Sequence, residues 1–181
     1  MVKLFDSVYD VVGDIDKIRK RPYGMIEVVN EKLVAVHLRP WPKLISGVEA
    51  KWADGWARKR AHKNQCQVYY SQPFAHRNFL SLSYAVTTLQ TSWTTLALSL
   101  AVLDYVAYAK SSDAIVTEVS NQRVSNRLMR RLGYERHYEE SKKRHWIKRF
   151  YGEYSESPLL QRKLGITFDS KRICPEKLFA S

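Results

Sequence analysis

The chain has 181 residues, enough for one domain with a substantial core, and 45% of them are hydrophobic, which argues against general disorder. Its formal charge of +12 favours anionic partners such as nucleic acid, phosphorylated cofactors, acidic proteins or a membrane surface. We expect no signal peptide, because Met1–Asp16 lacks an apolar core, and no membrane insertion, because the apolar run at Leu96–Leu103 is too short. Cys66 and Cys174 lack metal-ligand spacing and fit a reducing cytoplasm, with one disulfide as the open alternative.

The first half of the chain alternates apolar and polar residues in short runs that are typical of strands. Pro40 and Pro42 end the first pair of runs, and Trp52 and Trp56 lie four residues apart, as on one face of a helix. The elements predicted up to residue 86 are a lead-in at 1–20 (a short helix or a loosely packed segment), a β-hairpin of Met25–Asn30 and Leu33–Leu38, a helix at Val48–Lys63, and strands at Gln65–Ser71 and Phe79–Val86.

The most apolar segment, Ser92–Lys110, predicts a long helix. Trp93, Leu96, Leu100 and Leu103 recur at three- and four-residue spacing, and the positions between them are also largely apolar. A helix of this kind is buried on most sides, as when it packs across a sheet.

The stretch Ala114–Tyr134 predicts a strand, a cap, an amphipathic helix and a glycine stop. The strand is rich in β-branched residues, and Ser120 is the predicted cap of the helix. Gly133 falls where helices end in the left-handed conformation, and Tyr134 starts the next strand. The apolar face of the predicted helix consists of Val124, Leu128 and Leu132.

The end of the chain predicts a closing antiparallel pair, Tyr134–Glu139 and Arg144–Tyr151. After Gly152, we expect the prolines and Gly165 to prevent regular structure. The chain is therefore interpreted as a single domain over 1–181, with a surface-wrapping tail at 153–181. The order β-β-α-β-β-α-β-α-β-β predicts an α/β sheet with helices on its faces.

The unit of strand, cap, helix and Leu-Gly-Tyr resembles the second half of the GNAT-type N-acyltransferase fold. Ser125, Leu128, Leu132, Gly133 and Tyr134 match best the branch that acetylates the N-termini of ribosomal proteins. The resemblance implies a mixed, mostly antiparallel central sheet with helices on both faces. It also implies an acyl-CoA cofactor, such as acetyl-CoA, and an amine acceptor.

In that family the turn from a strand into a buried helix grips the pyrophosphate of the cofactor. The first turn of a helix offers unpaired amides and a partial positive charge, so it binds anions. The residues here that the resemblance assigns to cofactor binding are Val86, Thr88, Gln90, Thr91, Ser92, Trp93, Thr94 and Thr95. The alternative is that these Thr and Ser residues only cap the helix and fill a turn.

The chain departs from the family at this turn. An Arg or Gln followed by two glycines is usual there, and Gln90 could stand for the first residue, but no glycine lies between Gly55 and Gly133. The resemblance also places Asn121 and Ser125 beside the pantetheine or adenine end of the cofactor. Ser125 has a second interpretation, as a small residue that lets its helix approach the sheet.

The usual catalytic pair of the family is absent. Phe79–Val86 carries no carboxylate, and Met129 occupies the position where a Tyr acid would fall. Glu118 and Tyr84 are the candidate substitutes, with His76 as a further titratable group. Glu118 would face the cleft or the opposite side depending on strand register, and it could equally pair with a nearby Arg.

The resemblance and the basic segment lead to two functional hypotheses. The first is acyl transfer from coenzyme A to an amine. The second is a catalytically silent protein that binds nucleic acid or another polyanion through the basic residues at 127–149, with Tyr138, Trp146, Phe150 and Tyr151 stacking on bases. The same charge could simply form a solvated face, and the fold could serve only as a scaffold.

Overall fold

A computed structural model describes residues 6–41, 63–121, 124–138 and 143–168. Within them, eight strands form one sheet in the order β1-β3-β2-β4-β5-β6-β8-β7. The strands are β1 Asp6–Val8, β2 Tyr23–Val29, β3 Lys32–Arg39, β4 Gln65–Ser71, β5 Phe79–Thr87, β6 Ala114–Glu118, β7 Glu135–His137 and β8 His145–Arg149. The helices are α1 Ile15–Lys20, α2 Trp93–Ala109, α3 Asn126–Arg131 and α4 Pro158–Leu164.

Every strand pairing in the sheet is antiparallel except that of β5 with β6. The predicted α/β fold with a mixed, mostly antiparallel sheet is therefore confirmed. The predicted hairpin is also present, with Asn30 and Glu31 in left-handed conformations between β2 and β3. The helix predicted at Val48–Lys63 lies, apart from Lys63, outside the described residues.

Helix α2 covers one face of the sheet, which we call the α2 face. It contacts β2, β3, β4 and β6, while α1 and α4 pack against it. The α2 face of the sheet contributes Ile26, Val68, Leu80 and Ile115 to the core, each fully buried. The largely apolar sequence of α2 is explained by this position between the sheet and two other helices.

Two predictions of local structure are wrong. Ser125, not Ser120, caps α3, because its hydroxyl accepts a hydrogen bond from the Leu128 amide at 3.2 Å. The chain after Gly152 also forms a helix, α4, in which Pro158 occupies the first turn and Gly165 ends it with φ +65°. Proline is well accommodated in a first turn, because the amide that it lacks has no helical partner there.

None of the described helices is long and apolar enough to cross a bilayer.

Candidate functional site

Strands β5 and β6 separate from each other partway along β5. They pair in parallel from Phe79↔Ala114 to Leu82↔Thr117, but β5 continues to Thr87. No described strand pairs with this edge of β5 beyond Leu82. The separation therefore begins after Leu82, four residues before Val86, where the predicted strand ends.

A bulge marks the point of separation. On the other edge of β5, Tyr69 pairs with Tyr84 and Tyr70 pairs with Leu82, so Ser83 is an extra residue in β5. A bulge of this kind bends its strand and increases the local twist. We attribute the divergence of β5 from β6 to this bend.

The gap between the two strands opens into a cavity of about 890 Å³, which we call the cleft. Its walls come from both strands and from the two helices that follow them. They consist of residues 82–89 of β5 and its turn, 117–121 at the end of β6, Leu96 and Leu100 of α2, and Val124, Leu128, Met129, Leu132 and Tyr134 around α3.

Gly133 positions α3 along the cleft. Its φ of +84° lets the Gly133 amide donate to Arg130 and the Tyr134 amide donate back to Met129, which is the Schellman arrangement. Met129 is 5% exposed and Tyr134 3% exposed, so the end of the helix is fixed in the core. The predicted glycine stop is confirmed.

The loop before α3 is held from β8. The guanidinium of Arg144 donates to the carbonyls of Asn121, at 3.2 Å, and Val124, and to the side chain of Asn126. These bonds hold Asn121, Val124 and Asn126 to the residue that precedes β8.

The threonine-rich turn after β5 is bound to β4. Thr88 is 5% exposed, and its hydroxyl bonds to the Lys63 carbonyl and lies 3.0 Å from the Thr91 hydroxyl. The Thr91 hydroxyl donates to the Gln65 carbonyl at 2.7 Å. These hydroxyls therefore anchor the turn to the sheet.

The start of α2 already has an anionic side chain beside it. The Ser92 hydroxyl accepts from the Thr95 amide and donates to the Glu31 carboxylate at 3.3 Å. The Glu31 amide in turn donates to the Thr95 hydroxyl at 3.1 Å. Lys163 lies 3.2 Å from Glu31, and its hydrogen bond, with that of Ser92, lowers the pKa of the Glu31 carboxyl. Loss of water around the carboxylate has the opposite effect and raises that pKa.

The residues that the sequence assigned to the cofactor fall into two groups. Val86, Thr88 and Asn121 line the cleft. The remaining residues lie in the turn, at the start of α2 or at the cap of α3, outside the cleft walls; they are Gln90, Thr91, Ser92, Trp93, Thr94, Thr95 and Ser125. Trp93 is 41% exposed, and the Arg131 guanidinium lies 4.6 Å from its ring centroid, so α2 and α3 meet there.

The two candidate catalytic residues both border the cleft, on different strands. Glu118 ends β6 and lies 3.3 Å from Lys143 rather than from an arginine. Tyr84 lies beside Tyr69, with ring centroids 6.4 Å apart. His76 is in an exposed loop, packed edge-on against Phe79.

Part of the positive charge at 127–149 is already paired. Lys148 bonds to Asp104 and Arg149 to Glu135, each at 2.7 Å. Trp146 and Phe150 are 1% and 6% exposed, so they are not available to stack on bases. The exposed aromatic residues in this region are Tyr138 and Tyr151.

Sequence reasoning missed two groups of polar side chains on the sheet face away from α2. In the first, the Glu27 carboxylate accepts from Gln65 at 2.6 Å and Gln67 at 3.1 Å and lies 3.3 Å from His37. Polar residues at every second position of β4 were the visible signal. In the second group, Glu118, His145 and His137 lie opposite one another across β6, β8 and β7. Only the strand register brings these three together.

Within the described ranges, no group of His, Cys, Asp or Glu is arranged to hold a metal ion.

Comparison with known proteins gives one structural similarity. No family model matches the chain, and no curated protein matches it. Among solved structures, the chain is similar to the crystal structure of a nourseothricin acetyltransferase, with a TM-score of 0.40 and 10% sequence identity. The similarity covers 81% of this chain and 99% of that one.

Proposed function

We propose that this protein is an acyl-CoA-dependent N-acyltransferase of the GNAT type, which transfers an acyl group, such as acetyl, to an amine. The observation that carries the proposal is the cleft between β5 and β6, which opens where the two parallel strands separate. A reducing, cytoplasmic location is part of the proposal and accords with the buried thiol of Cys66.

The open edge of β5 is suited to the pantetheine arm of coenzyme A. Pantetheine is an extended chain with two amide groups. An exposed strand edge offers backbone N–H and C=O groups to such a chain, as it does to an added peptide strand. On β5, the edge of Ser83–Thr87 faces the cleft.

The apolar wall opposite that edge would exclude water from the thioester. Leu96, Leu100, Leu128 and Leu132 line the cleft from the two helices. In such surroundings, a backbone amide aimed at the thioester carbonyl stabilises developing negative charge more than it would in water. No described strand pairs with this edge of β5 beyond Leu82, so a backbone amide on the edge can supply that contact.

The diphosphate end of the cofactor would lie near the start of α2. In this proposal, Thr88, Gln90 and Thr94 are close to it, and Arg131 supplies positive charge beside Trp93. The Glu31 carboxylate near Ser92 is unfavourable to a second anion, so the phosphates would bind toward α3 rather than toward Glu31.

Isothermal titration calorimetry with acetyl-CoA tests the proposal. Ala85 lines the cleft and is exposed, so Ala85→Trp should fill part of the cleft and abolish or greatly weaken binding. Val34→Trp is the matched control, because Val34 is 40% exposed on β3, away from the cleft. Absence of saturable binding by the unaltered protein up to about 1 mM acetyl-CoA would contradict the proposal.

The polyanion-binding alternative has less support. Arg127 and Arg130 are exposed on α3, but Lys148 and Arg149 are in ion pairs. If the alternative held, binding to single-stranded DNA would weaken steeply as salt rises from about 50 to about 200 mM. Cofactor binding in the cleft with no such DNA binding would favour the transferase.

A further inference from the structure

We propose that a second pocket, on the sheet face away from α2, binds the acceptor amine as a cation and that its histidines take up the proton of that amine. This inference rests on the proposed transferase function and assigns its acceptor site. The pocket has a volume of about 280 Å³. Its titratable members are Glu118, His137 and His145, and Ser81 and Tyr138 border it.

Strand register places the three titratable side chains in one row. Glu118 on β6 lies directly opposite His145 on β8, and His145 lies directly opposite His137 on β7. Cross-strand neighbours of this kind have Cβ atoms about 5 Å apart, close enough for their side chains to share a proton or a ligand. Side chains at alternate positions of β8 point away from this row, since Trp146 is part of the core and Lys148 bonds to Asp104.

The pocket and the cleft share part of one wall. Thr117 and Glu118 line both, at the end of β6, where β5 and β6 have just separated. The cleft lies on the α2 side of this point, whereas the pocket lies on the other side of the sheet. A ligand in the pocket could therefore meet an acyl group in the cleft through the gap beside Thr117.

The chemistry of the pocket favours a protonated amine. Glu118 provides a carboxylate whose present partner, Lys143, is 66% exposed and 3.3 Å away. Surface pairs of this kind are weak, so a ligand ammonium can replace the lysine. The ring of Tyr138, which packs on His137 with centroids 4.1 Å apart, adds an aromatic face for a cation.

Two other carboxylates described on this face already have partners. Glu27 accepts hydrogen bonds from Gln65 and Gln67. Glu135 is paired with Arg149 at 2.7 Å, which leaves neither charge uncompensated. Lys143 is the described cation paired with Glu118, and its displacement is the electrostatic cost of amine binding.

In the proposed transfer, His145 acts as the base. The bound ammonium gives one proton to the imidazole of His145, and the neutral amine nitrogen then attacks the acyl carbon of the thioester. A carbon–nitrogen bond forms, the carbon–sulfur bond breaks, and the thiolate of coenzyme A leaves with the electron pair. As the amide forms, the second proton of the nitrogen passes to the departing thiolate, and the imidazolium returns its own proton to solvent. Glu118 holds the ammonium, and His137 positions His145.

Tyramine hydrochloride is a suitable probe, because it combines an ammonium with an aromatic ring. In the protein without cofactor, the imidazole C–H resonances of His137 and His145 should shift saturably with tyramine at constant pH, and those of His37 and His76 should not. Tyrosol, in which a hydroxyl replaces the ammonium, should shift none of them. Glu118→Gln should weaken tyramine binding about tenfold, as expected for loss of one charge-assisted contact. No shift at His145, or equal shifts with tyrosol, would overturn the proposal.

Transfer is tested next with acetyl-CoA and tyramine. His145→Gln should lower kcat/KM about a hundredfold or more and remove the acidic limb of its pH profile. His137→Gln should lower the rate less and keep that limb. Bound tyramine that the acetyl-CoA-loaded protein does not acetylate, or a His145→Gln variant with an unaltered profile, would overturn the inference. Failure of the proposed function is recognised separately, because acetyl-CoA would then give no binding in calorimetry.

Discussion

The ion pair between Lys148 and Asp104 joins β8 to α2, and replacing Lys148 with methionine should reveal a pH-dependent loss of stability. The two charged atoms are 2.7 Å apart, and the side chains are only 23% and 18% exposed. Burial raises the pKa of Asp104 from its ordinary value of 3.8 to about 6, although Lys148 acts in the opposite direction.

The sign of the pH effect follows from that raised pKa. The folded protein holds the Asp104 proton more tightly than the unfolded chain does, so the contribution of this group to stability is full below 3.8 and is lost as pH rises through about 6. At about 1.4 kcal/mol per pH unit, the loss across this window is about 3 kcal/mol. Lys148 reduces that loss of stability, because its ammonium favours the ionised form of Asp104.

Without the ammonium of Lys148, an ionised Asp104 would be partly buried with no opposite charge. Breaking a buried pair in this way costs about 3–5 kcal/mol. We expect Lys148→Met to lower the free energy of unfolding by about 3 kcal/mol at about pH 8, where Asp104 is ionised. At about pH 5, where the folded protein keeps Asp104 largely protonated, we expect a loss of about 1 kcal/mol for the hydrogen bond alone.

Urea unfolding at the two pH values measures both quantities. Lys17→Met is the matched control, because Lys17 pairs with Asp14 at 2.9 Å but is 51% exposed, so its loss should be small and the same at either pH. Asp104→Asn combined with Lys148→Met should recover most of the stability at the higher pH. Equal losses for Lys148→Met at the two pH values would refute this reasoning.

Three further predictions concern stability and reactivity. Gly133→Ala should cost about 1–2 kcal/mol in urea unfolding, because φ is +84° and a Cβ would lie 3.2 Å from Lys148; unchanged stability would contradict the need for a left-handed residue. Ser92→Ala should cost about 1 kcal/mol through loss of the α2 cap, whereas Ser83→Ala on exposed strand surface should cost less, and thermal unfolding would rank the two. In a Cys174→Ser background, Cys66 should resist a disulfide reagent near neutral pH until the protein unfolds, because burial raises its pKa to about 11. Rapid labelling of the native protein would show that Cys66 is accessible.

The sequence predicted well those elements whose signals are local. The apolar run of α2 between Ser92 and Lys110 matches a helix at Trp93–Ala109, because both the cap and the periodicity lie inside the segment. The hairpin was predictable for the same reason.

Features that depend on distant partners were not predictable. The sequence offers several residues that could cap α3, and the choice of Ser125 depends on Arg144, nineteen positions later, binding the preceding loop. The sequence suggested the hydroxyls of Thr88 and Thr91 for a phosphate, but in the fold they donate to the carbonyls of Lys63 and Gln65. Likewise, the row of Glu118, His145 and His137 exists only once β6, β7 and β8 are paired in one register.

The ladder between β5 and β6 consists of four residue pairs, from Phe79↔Ala114 to Leu82↔Thr117, and it is the seam that joins two parts of the sheet. Strands β1 to β5 lie on one side of this seam and β6 to β8 on the other, with α2 contacting strands on both sides. Because so few backbone bonds join the two parts, the packing of α2 against both of them sets the angle between them. The volume of the buried α2 side chains therefore controls the width of the cleft. That width can be changed from inside the core without altering any residue that lines the cleft.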